Sequence, residues 1–126
     1  MGCYYKIAGK IPLKPDVPLS AVEELQGRLG NAEIDIEDGP RLHVFFADAT
    51  SYGWACEIDD LLVDFAEKYA SMGAVLEYAC DGEAGVLAVG PDKRSRLRAE
   101  IEHIDKQVDE LEARRLDMLK QMNELP

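Results

Sequence analysis

The sequence predicts an α+β fold: a ferredoxin-like antiparallel sheet with two helices on one face, plus an extra strand and a long C-terminal coiled-coil helix. Two observations predict it. Strand-like and helix-like segments alternate in the split βαβ order of ferredoxin-like sandwiches, and one more strand follows them. After residue 91, apolar residues recur in steps of four and three. The chain therefore divides into an acidic α+β domain, residues 1–90, and a C-terminal coiled-coil helix, residues 91–126.

The first two elements are marked by alternation and by a capping box. Residues 4–11 alternate weakly in polarity before Pro12, which indicates a strand that ends there. Ser20 and Glu23 have the spacing at which each side chain bonds the backbone N–H of the other residue. We therefore expect a short helix that begins at this pair, buries a leucine-rich face and ends at Gly30.

A hairpin follows the first helix. Asp38-Gly39 is a common hairpin turn, and alternating apolar residues on either side predict strands over 33–37 and 41–48. The small and turn-forming residues of 49–53 then predict a loop.

The second helix and second hairpin complete the domain. Apolar residues recur at helical spacing between Ile58 and Met72, and Gly73 is expected to close this helix. The second hairpin is expected to turn at 81–83. Pro91 suits the first turn of the long helix that follows, because a proline there removes no helical hydrogen bond.

The long helix carries its apolar residues at heptad positions a and d. We call this set the seam, and it comprises Leu97, Ile101, Ile104, Val108, Leu111, Met118 and Met122. A stripe this narrow and long needs a second helix to cover it, so the seam predicts a homodimer. Antiparallel pairing is favoured, because in a parallel pair the two copies of Arg115, which interrupts the seam at an a position, would meet in one layer. The alternative is that the helix folds back on its own sheet and uses Leu116 and Leu119 as well.

The negative charge is concentrated in the first domain. The net charge is -11, and residues 1–90 hold sixteen acidic and six basic side chains. This excess disfavours direct nucleic-acid binding, which needs clustered Lys and Arg, and it permits a basic protein or nucleoprotein partner. An acidic surface that only confers solubility is the alternative. No segment is apolar enough to span a membrane, and the three cysteines share no metal or redox spacing. The first residues have neither a basic start nor an apolar run, so we expect no signal peptide and a cytoplasmic protein.

Four carboxylates form a regular row on the second helix. We call Glu57, Asp60, Asp64 and Glu67 the acidic stripe, because their spacing places them on one side of that helix. We expect the stripe, with Tyr52 in the preceding loop, to bind the basic partner. A solvated face without function and a divalent-cation site are the two alternatives, although the ordered ligand spacing of a calcium loop is absent.

The sequence contains no recognisable catalytic or cofactor motif. His43 and His103 lack a second ligand at metal spacing, and we expect both to be solvent-facing. No serine, cysteine or lysine stands in a nucleophile motif, and no glycine-rich phosphate loop follows a strand. We therefore expect no catalytic residues, no metal, no cofactor and no enzyme activity. A hydrolase that uses only Asp and Glu stays open.

Two stretches of the first domain carry a resemblance to a known group of proteins. The first comprises Met1-Gly2, Tyr4-Tyr5, Gly9, Ile11, Pro15 and Leu19. The second comprises Tyr52, Leu61-Leu62-Val63-Asp64, Leu76, Tyr78 and Gly82-Glu83. Over about two-thirds of its length the chain resembles small uncharacterised proteins encoded by phages of actinobacteria. The coiled coil is not part of that pattern, and Leu87-Ala88-Val89 stands where those proteins have a Trp-Arg pair. The resemblance implies a phage or prophage origin and no activity.

The size, charge and absence of catalytic motifs also match the profile of phage anti-defence proteins, including anti-CRISPR proteins. The sequence thus favours a dimeric, non-enzymatic inhibitor that binds a basic surface of a host nucleoprotein or nuclease. A structural or assembly adaptor that uses the coiled coil is the first alternative. A small-molecule-binding regulatory domain is the second.

Overall fold

The chain is described by a computed structural model over residues 2–37 and 39–126, so Met1 and the Asp38 of the predicted hairpin turn lie outside the described residues. The α+β class and the order of the elements agree with the prediction. The elements are β1 (Gly2–Pro12), α1 (Leu19–Leu29), β2 (Glu33–Glu37), β3 (Arg41–Ser51), α2 (Tyr52–Tyr69), β4 (Ala74–Cys80), β5 (Glu83–Val89) and α3 (Lys93–Glu124).

The strands form one antiparallel sheet in the order β2-β3-β1-β4-β5. The central strand β1 pairs with β3 along its whole length, from Gly2 opposite Ser51 to Pro12 opposite Arg41. On its other side, β1 pairs with β4. The β4–β5 hairpin turns at Asp81 and Gly82, whose φ values of 50° and 88° fit the left-handed turn that tight hairpins use.

The main core lies between one face of the sheet and the helices α1 and α2. Alternate β1 residues such as Tyr5, Ile7 and Ile11 are buried on this face, while Lys6 and Lys10 point to the other face. Of the leucine-rich face predicted for α1, Leu25 and Leu29 are buried against this core. Leu19, at the start of the helix, is exposed.

Helix α3 packs on the opposite face of the sheet with its first half alone. Its residues His103 and Gln107 line a groove together with sheet residues of that face. Ala99 is buried, and each residue from Ile104 to the C-terminus is exposed. Leu116 and Leu119 therefore do not fold back onto the sheet. The expectation that His103 is solvated was wrong, because α3 turns this side chain toward the sheet and leaves it half-buried.

Two glycines allow α3 to begin close to the sheet. A Cβ atom at Gly73 would overlap the Ser95 carbonyl group, and one at Gly90 would lie 2.7 Å from the Ser95 hydroxyl. Asp92 caps the helix: its carboxylate accepts from the Ser95 N–H at 2.7 Å, and the Asp92 N–H donates to the Ser95 hydroxyl at 3.2 Å. This capping box places Pro91 before the helix, not in its first turn as predicted.

The capping box predicted at Ser20 and Glu23 is wrong. Helix α1 begins at Leu19 with Pro18 as its N-cap residue, and no side chain caps it. Pro18, with φ fixed at -64°, takes the N-cap position two residues earlier than the pattern indicated. Ser20 therefore lies inside the first turn, where its hydroxyl cannot take the role of an N-cap.

The predicted boundaries around α2 also need correction. The 49–53 loop does not form, because β3 continues to Ser51 beside the start of β1 and Ser51 then caps α2 by accepting from the Trp54 N–H at 3.1 Å. At its other end α2 stops at Tyr69, before Met72. The chain after Pro12 pairs with it there, since the Lys14 N–H donates to the Tyr69 carbonyl at 2.9 Å.

Candidate interaction surfaces

The seam of α3 is exposed along its entire length in the single chain. Its seven residues are between 46% and 63% exposed. The seam lies on the side of α3 that is turned away from the sheet, because the buried Ala99 and the half-buried Arg96 and His103 occupy heptad positions f and c. An apolar stripe of this length in water is a surface that another helix can cover.

The acidic stripe is brought together as the sequence predicted. All four carboxylates are exposed on α2, on the side opposite the buried residues of that helix. Helix α2 packs on one face of the sheet and the first half of α3 lies over the other.

The four carboxylates differ in their ionic surroundings. Glu67 pairs with Arg96 of α3 at 3.5 Å, an ion pair that the sequence did not indicate. Asp64 lines a shallow groove between α1 and α2 together with Arg28 and Lys68. Among the described residues, Glu57, Asp60 and Asp64 have no ion-pair partner within 4.0 Å, but only Glu57 and Asp60 also lie outside the groove with those basic side chains. The strongest negative potential of the stripe is therefore expected at its N-terminal half.

Tyr52 is 48% exposed, but its hydroxyl group is engaged. It donates to the Asp81 carboxylate at 3.0 Å, and this hydrogen bond raises the pKa of Tyr52 above its ordinary value. Asp81 also accepts from the Tyr4 N–H at 2.8 Å. Tyr52 thus connects the start of α2 to the β4–β5 turn. At about 100° per helical residue, it lies roughly a quarter turn around α2 from the acidic stripe, so the structure does not bring these two features together.

A buried tyrosine–carboxylate pair was missed by the sequence reasoning. The Tyr5 hydroxyl donates to the Asp59 carboxylate, joining the central strand to α2. Burial and then the hydrogen bond to Asp59 raise the pKa of Tyr5 above its ordinary range, and burial raises the pKa of Asp59 above 3.8 against the opposing effect of the Tyr5 hydrogen bond. The signal that could have found it is weak: on the helical wheel, Asp59 lies next to the buried Ala66 and away from the acidic stripe.

The described residues offer no group of histidine, cysteine or acidic side chains placed to hold a metal ion. Cys3 is buried, Cys80 is half-buried and Cys56 is exposed, and all three are free. Burial and a neighbouring Cys3 thiol raise the pKa of Cys80, which lowers the fraction present as the reactive thiolate. Trp54 is half-buried against the core, so it contributes to packing. None of the helices in the described ranges combines the length and apolar composition needed to cross a membrane.

No family model matches the chain, and no curated protein or solved structure is significantly similar to it.

Proposed function

We propose that this protein is a non-enzymatic binding protein that forms a homodimer through α3 and uses its acidic domain to bind a basic protein surface. The observation that carries the proposal is the uncovered seam, because each of its residues is at least 46% exposed in a single chain. An exposed apolar stripe over seven heptad positions is costly in water, and pairing with a second copy removes that cost without requiring another gene product.

The acidic domain supports the choice of a basic partner. Residues 1–90 carry sixteen acidic and six basic side chains, and three of the four carboxylates of the acidic stripe are exposed on α2 without an ion-pair partner among the described residues. A surface of this sign accelerates encounter with a positive surface and repels nucleic acid. We infer that the partner is a nuclease or nucleoprotein of the host cytoplasm and that the protein inhibits it, as phage anti-defence proteins of the anti-CRISPR type do.

The dimer is tested by two substitutions in the seam. Ile104→Asp with Leu111→Asp places charges at two central d positions, and we expect a monomeric mass by analytical ultracentrifugation with the α+β domain still folded. The matched control is Lys106→Asp with Ala113→Asp, which changes exposed f positions of the same helix and should leave the dimer intact. A monomeric mass for the unaltered protein at micromolar concentration contradicts the proposed dimer.

The inhibitory function is tested with purified RNA-guided effector nucleases of actinobacterial hosts. We expect the protein to reduce DNA cleavage, and reversal of the acidic stripe to lysine at all four positions to slow association and flatten its salt dependence. The matched control reverses four exposed acidic residues elsewhere, Asp16, Glu23, Glu33 and Asp35, and changes the net charge equally. Equal loss in both variants would assign the effect to net charge, and unchanged inhibition in both would exclude a role for the stripe.

A structural or assembly adaptor is the second candidate, and one observation favours it. Leu119 lies beside Leu111, Met118 and Met122 near the end of α3 and widens the exposed apolar surface there. This wider apolar end could accept a helix of a different protein. Mixed oligomers whose formation does not depend on salt would support the adaptor over the inhibitor.

For the fold, we propose that the first four strands form a ferredoxin-like sandwich that β5 extends at one edge. The support is the arrangement of β1, which lies between β3 and β4 and is antiparallel to both, with α1 and α2 on one face.

A further inference from the structure

We propose that the two α3 helices of the dimer pair in antiparallel orientation. The two-fold axis crosses the seam between Ile104 and Val108, at the level of residue 106. This inference rests on the proposed homodimer and adds the arrangement of the two copies. The seam is then covered by a second copy of the same chain that runs in the opposite direction. The helices then overlap over roughly 40 Å, at 1.5 Å per residue.

The antiparallel arrangement matches the seam residues layer by layer. An a residue faces a d residue of the partner in such a pair. Ile101 then packs on Leu111 and Val108 on Ile104, and each contact occurs twice by symmetry. The two arginines at a positions, Arg94 and Arg115, face apolar residues near the ends of the overlap. Their stems can cover apolar surface there while the guanidinium groups stay in water.

The charges beside the seam also match in this arrangement. Each g position faces a g position of the partner, which sets Glu100 opposite Arg114 twice. Each e position faces an e position, which sets Arg98 opposite Glu112 twice and brings the two copies of Asp105 together once. The balance is four attractions against one repulsion. Arg98, Glu112 and Arg114 are all exposed in the single chain and available for these contacts.

Parallel pairing reverses this balance. Each g residue then faces the e residue five positions later on the partner. Lys93 would face Arg98 and Glu100 would face Asp105, which gives repulsion at both places. The two copies of Arg115 would also meet in one a layer, where their positive charges share a confined apolar site. Parallel pairing would also cover Met122, which lies beyond the antiparallel overlap, but it brings these like charges together, so we assign the orientation by charge.

The orientation determines where the two acidic domains lie. Each domain packs on the side of α3 that is turned away from the seam, so the domains lie on the outer sides of the helix pair. Ala99 marks the attachment of each domain to α3, and in the antiparallel pair the two attachments are about 21 Å apart along the helix axis. In the parallel pair they are level. The antiparallel dimer therefore presents two separated acidic stripes and can bind two basic partners at once.

A charge reversal at Arg98 distinguishes the orientations by the sign of its effect. In the antiparallel dimer, Arg98→Glu converts two attractions to Glu112 into repulsions, and we expect about tenfold weaker dimerisation at low salt. Adding Glu112→Arg to the same chain should restore the affinity. In a parallel dimer, Arg98→Glu would relieve repulsion from Lys93 and tighten dimerisation. The dissociation constants are measured by sedimentation equilibrium.

Disulfide trapping provides an independent readout. In a Cys56→Ser background, which removes the exposed cysteine, Gln107→Cys should cross-link to its own copy and Leu97→Cys should not. Efficient cross-linking through position 97, or tighter dimerisation of the Arg98→Glu variant, would overturn the antiparallel orientation and leave the homodimer standing. A monomeric parent protein would overturn both the orientation and the proposed homodimer.

Discussion

The hydrogen bond between Tyr5 and Asp59 gives the sharpest test of how the core is held together. The Tyr5 side chain is 3% exposed, and its hydroxyl donates to a half-buried carboxylate on α2. Tyr5→Phe keeps the ring and removes this donor, which leaves the Asp59 carboxylate poorly solvated and without its partner. A hydrogen bond to a charged group contributes about 1.5–3 kcal/mol to stability. Since Asp59 can regain part of its hydration, we expect about 2 kcal/mol of destabilisation.

The assay is thermal and urea denaturation followed by circular dichroism, at one fixed protein concentration because dimerisation also stabilises the fold. A loss of about 2 kcal/mol should lower the Tm by roughly 8 °C for a chain of this size. Tyr78→Phe is the matched control: Tyr78 packs beside Tyr5 with ring centres 6.2 Å apart, and its ring takes part in the same core. If Tyr5→Phe and Tyr78→Phe are equally stable, the hydrogen bond to Asp59 does not stabilise the fold and the reasoning is refuted.

Two further predictions concern Asp59 and Gly73. Because the folded protein holds the proton of Asp59 more tightly than the unfolded chain does, the contribution of Asp59 to the free energy of unfolding should fall as pH rises from 3.8 through the raised pKa. Asp59→Asn keeps an acceptor for Tyr5 and does not titrate, so the variant should become more stable relative to the unaltered protein as pH rises over that window in urea titrations. A difference in stability that stays constant with pH would contradict the raised pKa. Gly73→Ala places a methyl group against the Ser95 backbone, which must shift, so we expect about 1–3 kcal/mol of destabilisation and faster hydrogen exchange in the first turns of α3. Gly53→Ala, where no atom lies within 4 Å of the added carbon, is the control and should be neutral or slightly stabilising, so equal effects at both positions would refute the close approach.

The interior of the elements was predictable because it depends on local periodicity. The two hairpins, α1, α2 and α3 were expected in the order observed, since alternation and helical spacing report which side of a segment is buried. The ends of the elements were less predictable. β3 runs to Ser51 because β1 pairs with it there, and α2 stops at Tyr69 because the chain after Pro12 pairs with that end. These partners lie more than forty residues away, so no local pattern contains them.

The candidate surfaces divide in the same way. The seam and the acidic stripe could be found from the sequence because each consists of residues at fixed spacing on one helix, and the structure exposes both. The Tyr5–Asp59 pair and the Glu67–Arg96 pair join different elements, and only the packing of α2 and α3 against the sheet brings them together. Tyr52 combines the two cases. Its exposure was expected from the sequence, whereas its hydrogen bond to Asp81 depends on the fold.

The sequence by itself determined the α+β class, the concentration of negative charge in the first ninety residues, and a long helix with a narrow apolar seam. The tertiary structure decided which side of that helix meets the sheet. The small residues Gly73, Gly90 and Ala99 let α3 approach closely on the side opposite the seam, and the seam is thereby left facing water. A heptad pattern fixes which residues share a stripe, but the shape of the surface beneath the helix fixes the direction in which that stripe points.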